Sequence, residues 1–244
     1  MVKGAQKGAA FERRIAKLLG PWWCEDEGAF WRSAGSGARA TVVKGIGLHP
    51  GDIVPQTEEA ANFPCCIETK RREKWNLADF LAVHRDPFKT EVIVFWLESL
   101  IECGGDYIPW AIISKNRQSD LLVVDRGFYS TLRAQHLLWR EVGASIPRIA
   151  VQFPLSKHFA LDIVVFSLQS FMKAVDPGDV LGVARDKHYQ DYLAQILADA
   201  DPILSKYAAE TKRKLKRYRE NKKKRKEAYD KARDLQPILG YHPG

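Results

Sequence analysis

Two short apolar runs constrain this chain more than anything else in it: HPGDIV at 49–54 and CCIETKRR at 65–72, separated by a polar excursion from Val54 to Pro64. Side chains in a strand alternate between faces, so Glu68 and Lys70 emerge on one face while Ile67 and Thr69 take the other. Asp52 follows His49-Pro50-Gly51, a tight-turn sequence that brings its carboxylate to the start of a strand. If the two runs pair as neighbours, Asp52 lies beside Glu68 at the rim of a sheet. Two carboxylates and an ammonium at one spot suit a divalent cation and an attacking water. The same residues also read as surface charges on a sheet edge, a common guard against aggregation. Against that plainer reading, Glu68 and Lys70 sit in an apolar and small segment (Cys65, Cys66, Ile67, Thr69), where unpaired charge is costly unless something binds it.

The remaining pattern predicts an α/β fold with a mixed sheet and helices packed on it. A helix is expected over 9–19, with Phe11, Ile15, Leu18 and Leu19 on one face and Gly20-Pro21 ending it. Glu12 falls on another face, where a solvated carboxylate is the ordinary expectation. Residues 29–33 read as a strand, and AGSGARA after it as a small basic loop. Backbone N–H groups there, beside Arg32 and Arg39, suit phosphate contacts, though most such loops are only turns. Strands follow at 52–55 and 65–70, then a helix at 76–84. The segment 90–103 (TEVIVFWLESLIEC) is ambiguous; Ile93, Leu97, Leu100 and Ile101 at helical spacing, with Gly104-Gly105 behind them, favour a buried helix. Strands are expected at 108–114 and 121–125, a helix over 128–147, a strand at 148–153, and a strand running into a helix over 162–175. Asp176-Pro177-Gly178 reads as a boundary. An amphipathic helix over 187–200 is expected to be interrupted by Asp201-Pro202.

Charge distribution separates the C-terminal part from the rest. Residues 206–233 hold 14 Lys and Arg against 4 Asp and Glu, a net of +10, so of the chain's +8 the remainder carries −2. Tyr207, Leu215, Tyr218 and Tyr229 sustain no heptad, which argues against a coiled coil. A basic helix that lies on nucleic-acid phosphates fits the composition better, with Lys212, Arg213, Lys216 and Lys223 among its contacts. A role in dimerisation or in binding a partner protein stays open. Cys24, Cys65, Cys66 and Cys103 form no C-x-x-C pair and are expected to be reduced core thiols. No apolar run reaches the ~20 residues of a membrane helix, and the start MVKGAQKGAA lacks a signal core, so a cytoplasmic protein without membrane partners is expected. The six histidines are dispersed without metal-ligand spacing, no P-loop sequence is present, and AGSGA lacks the strand–helix elbow of a serine hydrolase.

Taken jointly, three motifs carry a resemblance. GDIV followed by IETK resembles the PD-(D/E)-x-K signature of the restriction-endonuclease-like nuclease superfamily, with Gly51 in place of the signature's proline. KGAAFERRIAKLL and WRSAGSG, upstream and in that order, resemble the N-terminal helix and following loop of archaeal-type Holliday junction resolvases, which also occur in bacteriophage genomes. The likeness covers roughly residues 3–125. It implies a restriction-endonuclease-like core, expected over 1–180; the basic helical extension expected over 181–244 rests on charge and helical patterning and lies outside the likeness. The likeness also implies Asp52, Glu68 and the Thr69 carbonyl as ligands of Mg²⁺, with Mn²⁺ able to substitute, and Glu12 completing or orienting that site. Lys70 would position or polarise the attacking water. Arg32, Ser33 and Ser36 match the loop that handles the scissile strand; Lys7, Arg13, Arg39, Arg71 and Arg72 are expected DNA contacts. The implied substrate is branched or four-way junction DNA, cut by a homodimer. A nicking enzyme or exonuclease of the same superfamily, and an idle DNA-binding module of the same fold, are the alternatives.

Overall fold

A computed structural model of the protein describes residues 4–33, 41–43, 47–73, 75, 90–135, 148–154, 160–202 and 205. The chain divides into two compact units, 1–200 and 201–244. In the first unit, α1 (Gly4–Cys24) precedes β1 (Phe30–Arg32), β2 (Thr41–Val43), β3 (Gly47–His49), β4 (Ile53–Pro55) and β5 (Cys65–Arg71). There follow α2 (Glu91–Cys103), β6 (Ile108–Ser114), β7 (Leu121–Asp125), α3 (Arg126–Gln135), β8 (Arg148–Pro154) and β9 (Ala160–Ser167). The unit closes with α4 (Leu168–Ala174), α5 (Pro177–Arg185) and a helix that begins at residue 187, α6.

The architecture is mixed α/β. A five-stranded mixed sheet runs β5-β6-β7-β9-β8, with β5 and β6 parallel and the other neighbours antiparallel. The parallel pair needs a crossover, which contains α2. Two short antiparallel pairs, β1 with β4 and β2 with β3, stand beside it. The β2–β3 pair was not expected from the sequence, although Thr41-Val42-Val43 has the β-branched composition of a strand. Residues 34–40 and 76–89, which hold the expected AGSGARA loop and the helix at 76–84, lie outside the described residues, as do 136–147 of the expected third helix.

The core is aromatic. Trp110 on β6 meets Phe63, Phe128 and Phe171 edge-on, at ring separations of 6.2, 6.0 and 5.4 Å. Trp22 and Trp23 at the end of α1 join this cluster, which explains one departure from expectation. The helix does not stop at Gly20-Pro21 but continues to Cys24 with Pro21 inside it. The Trp22 indole donates to the Val175 carbonyl at 3.0 Å and the Trp23 indole to Asn62 Oδ1 at 3.3 Å. Packing and hydrogen bonding of both rings thus hold a last turn that proline alone would end. Likewise Asp201 and Pro202, expected to interrupt a helix, are themselves helical. Asp176 N-caps α5 through a capping box with Asp179.

The ambiguous segment 90–103 is a helix. Its residues from Val92 to Leu97 are all buried, so strand-like continuity and helical periodicity were both genuine features of one buried helix. Gly104 takes the left-handed conformation at φ 62° and terminates it. All four cysteines are free thiols, and Cys65, Cys66 and Cys103 are buried. Among the described residues no helix is long and apolar enough to cross a membrane.

Candidate active site

Asp52 is placed by backbone bonds on both sides. Its N–H donates to the Ile67 carbonyl on β5 at 2.7 Å, and its own carbonyl accepts from Ser33 N–H at 2.8 Å. Gly51 makes an isolated parallel bridge to Ile67 and holds φ at +96°, where a Cβ would sit 2.7 Å from the Ile67 oxygen. That conformation belongs to glycine and is closed to proline, whose ring fixes φ near −65°. The departure from the PD signature at this position is therefore required by the local backbone. The Asp52 carboxylate then turns toward β5, where Oδ2 accepts from Thr69 N–H at 2.9 Å and from Thr69 Oγ1 at 3.0 Å.

Glu68 and Lys70 project together as strand alternation predicts, and the Lys70 ammonium donates to Glu68 Oε1. A second carboxylate, Glu98 on α2, takes the same ammonium at 3.0 Å. From α1, Glu12 reaches the same region, and Arg32 Nε donates to its Oε2 at 2.8 Å. Glu12, Asp52, Glu68 and Thr69 are each no more than 7 % exposed, so the three carboxylates among them are interior ones. Glu12 is thus not the solvated helix residue that periodicity suggested. All four line one cavity of about 210 Å³, together with Lys70, Arg71, Arg72 and Glu102.

The electrostatics of the cavity are those of a site short of positive charge. Four carboxylates line it against three cations. Burial, and next the negative charge of Asp52, push the Glu68 carboxyl up to about 8 even with Lys70 in contact. Burial alone would lower Lys70, but Glu68 and Glu98 overcome it and the net shift is upward, so the lysine stays charged. The two shifts are consistent: one ammonium is shared among several carboxylates that repel one another. Glu102 adds to that repulsion, and its Oε2 is buried without a hydrogen-bond partner.

The expected site residues thus fall into four groups. Glu12, Asp52, Glu68, Thr69 and Lys70 come together, with Arg71 and Arg72 on the same cavity wall. Arg32 and Ser33 adjoin it through Glu12 and Asp52, whereas Lys7 and Arg13 are exposed on α1. Ser36, Arg39, Lys212, Arg213, Lys216 and Lys223 lie outside the described residues. Sequence reading missed Glu98 and Glu102. Their signal was available: two carboxylates four apart share one face of an otherwise apolar helix, where neither belongs without a partner. His49, one of the dispersed histidines, is buried between Phe63 and Tyr107, and burial lowers its pKa.

Among the described residues no three His, Cys, Asp or Glu side chains already converge as a metal cage. The donor set nevertheless fits a hard divalent cation: carboxylate oxygens, an orphaned buried Glu102 oxygen, and a Glu68 whose carboxyl burial and the Asp52 charge push up. No curated protein and no solved structure matches the chain. Residues 3–181 match the family described as "Phage putative PDDEXK endonuclease", whose nucleases generally use a divalent metal. That span runs beyond the expected 3–125 and takes in β8, β9 and α4, which complete the sheet and its packing. With the Asp52, Glu68 and Lys70 side chains gathered on the edge of that sheet and most of the chain matched, the protein belongs to this family of PDDEXK nucleases.

Proposed function

We propose that the cavity hydrolyses DNA phosphodiesters with Mg²⁺, or Mn²⁺ in its place, held by Asp52, Glu68 and the Thr69 carbonyl, with Glu12 completing or orienting the set. The observation that carries this reading is the Asp52 and Glu68 carboxylate pair, both buried and lining one cavity with a single lysine in contact. A further positive charge is what such a carboxylate pair needs. A divalent cation bound there supplies Lewis acidity at the phosphoryl oxygen and lowers the pKa of a bound water. The remaining work belongs to the protein's own side chains. Lys70, gripped by Glu68 and Glu98, presents its ammonium where negative charge develops during attack. Thr69 fixes the Asp52 carboxylate through two bonds, and Arg32 fixes Glu12 through one.

The substrate class rests on the resemblance of the N-terminal helix and the WRSAGSG segment to archaeal-type Holliday junction resolvases. The reading is a restriction-endonuclease-like core, working as a homodimer on four-way junction DNA with one site on each of two opposed strands. The basic C-terminal extension adds non-specific affinity for phosphates. The test compares cleavage of a synthetic four-way junction, the matching linear duplex and the single strands, each with Mg²⁺. Paired nicks in opposed strands of the junction, with little cutting of the other two, are expected. Equal cutting of all three would overturn the junction specificity and leave a less selective nuclease.

A further inference from the structure

A second groove, about 500 Å³ in volume, opens beside the carboxylate cavity, and Arg71 lines both. The two differ in sign. Arg14, Arg71, Lys115 and Arg117 line the groove against a single carboxylate, Asp120. Asp120 is already matched by Arg14, whose two terminal nitrogens reach its oxygens at 2.6 and 2.8 Å. Three cations are left without a carboxylate partner among the described residues.

Each of the three has donors to spare. Arg71 donates Nη2 to Asn116 Oδ1 at 2.7 Å, while its Nε is buried with no hydrogen-bond partner. Lys115 donates to the Trp75 carbonyl at 3.0 Å, using one of its three N–H bonds. Arg117 is exposed in the turn between β6 and β7 and holds φ at 62°, a backbone uncommon for any residue but glycine. Like charges gathered round a groove repel one another unless an anion occupies it, and an unpaired buried guanidinium nitrogen asks for an acceptor.

A DNA strand supplies such anions at regular intervals, and the neighbouring cavity already reads as the place of the scissile phosphate. We propose that Arg71, Lys115 and Arg117 form a subsite for a backbone phosphate of the cut DNA strand, next to the scissile one. The β6–β7 turn thereby fixes the direction in which the strand crosses the site. This inference rests on the nuclease reading of the adjoining cavity.

The test measures binding of fluorescent DNA by anisotropy across a salt series, without divalent cation. The variants are Arg117→Gln and the double variant Lys115→Gln with Arg117→Gln. Each lost phosphate contact should flatten the slope of log affinity against log salt by about 1. Arg117 is exposed, so the single variant keeps the test decisive if the double variant folds poorly. An unchanged slope in folded Arg117→Gln would overturn the subsite, whether or not the protein cuts DNA. A parent protein that binds with the expected slope and never cuts would leave the phosphate subsite standing and overturn the reaction instead.

Discussion

Gly51 shows how one residue sets the geometry of the site. Its φ of +96° and its approach to Ile67 leave no room for a side chain, and Asp52 is the next residue. Substitution by alanine should destabilise the protein by roughly 2 kcal/mol through backbone strain and the clash with Ile67. It should also shift the Asp52 carboxylate away from Thr69 and so reduce activity beyond the stability loss. Proline, the residue of the superfamily signature, should be worse still, because it cannot reach this φ. Thermal melts and cleavage rates of Gly51→Ala and Gly51→Pro check this; a proline variant as stable as the parent would contradict the account of the turn.

At the scale of elements, the sequence is most legible where an apolar run is bounded by a turn, as in the fully buried β6 and in β7, or where apolar residues recur at helical spacing, as on the face of α1. Asp52 was harder to place, because its position depends on the bridge from Gly51 to Ile67 rather than on any local pattern. The end of α1 was misread for a similar reason: the bonds from Trp22 and Trp23 are made to distant parts of the chain. Glu68 and Lys70 were legible because strand alternation fixes them relative to each other. Glu98 and Glu102 are legible as carboxylates on an apolar helix, but the contact of Glu98 with Lys70 appears only when α2 packs on β5. Long-range ties also bear on stability. Asp125 ends β7, accepts from Phe128 N–H at 2.7 Å to cap α3, and accepts from the Tyr189 hydroxyl on α6 at 2.9 Å. Burial raises its carboxyl from an ordinary 3.8 to about 6. A folded value above the unfolded one means its contribution is fully present below about pH 4 and fades as pH rises through about 6. Relative to Asp125→Asn, the parent should therefore lose on the order of 2 kcal/mol of stability between about pH 4 and about pH 7. Melting curves of both proteins across that range test it, and parallel curves would contradict it.

At the scale of the whole molecule, charge is partitioned by task. The carboxylate cavity is short of cations, the adjoining groove has cations to spare, and the chain's excess positive charge lies in residues 206–233. If that segment contributes phosphate contacts, deleting residues 205–244 should weaken DNA binding and flatten its salt dependence while leaving the cleavage chemistry in place. An unchanged salt slope would assign the segment to protein contacts instead. The central claim concerns the cavity itself: Glu68 and Lys70 are the working groups of a DNA-cutting site. Single-turnover cleavage of end-labelled junction DNA with Mg²⁺, by the parent and by Glu68→Ala and Lys70→Ala, tests it most directly. The account predicts that both variants bind DNA like the parent and lose at least about a hundredfold in cleavage rate. Variants that cut at the parent's rate would contradict it.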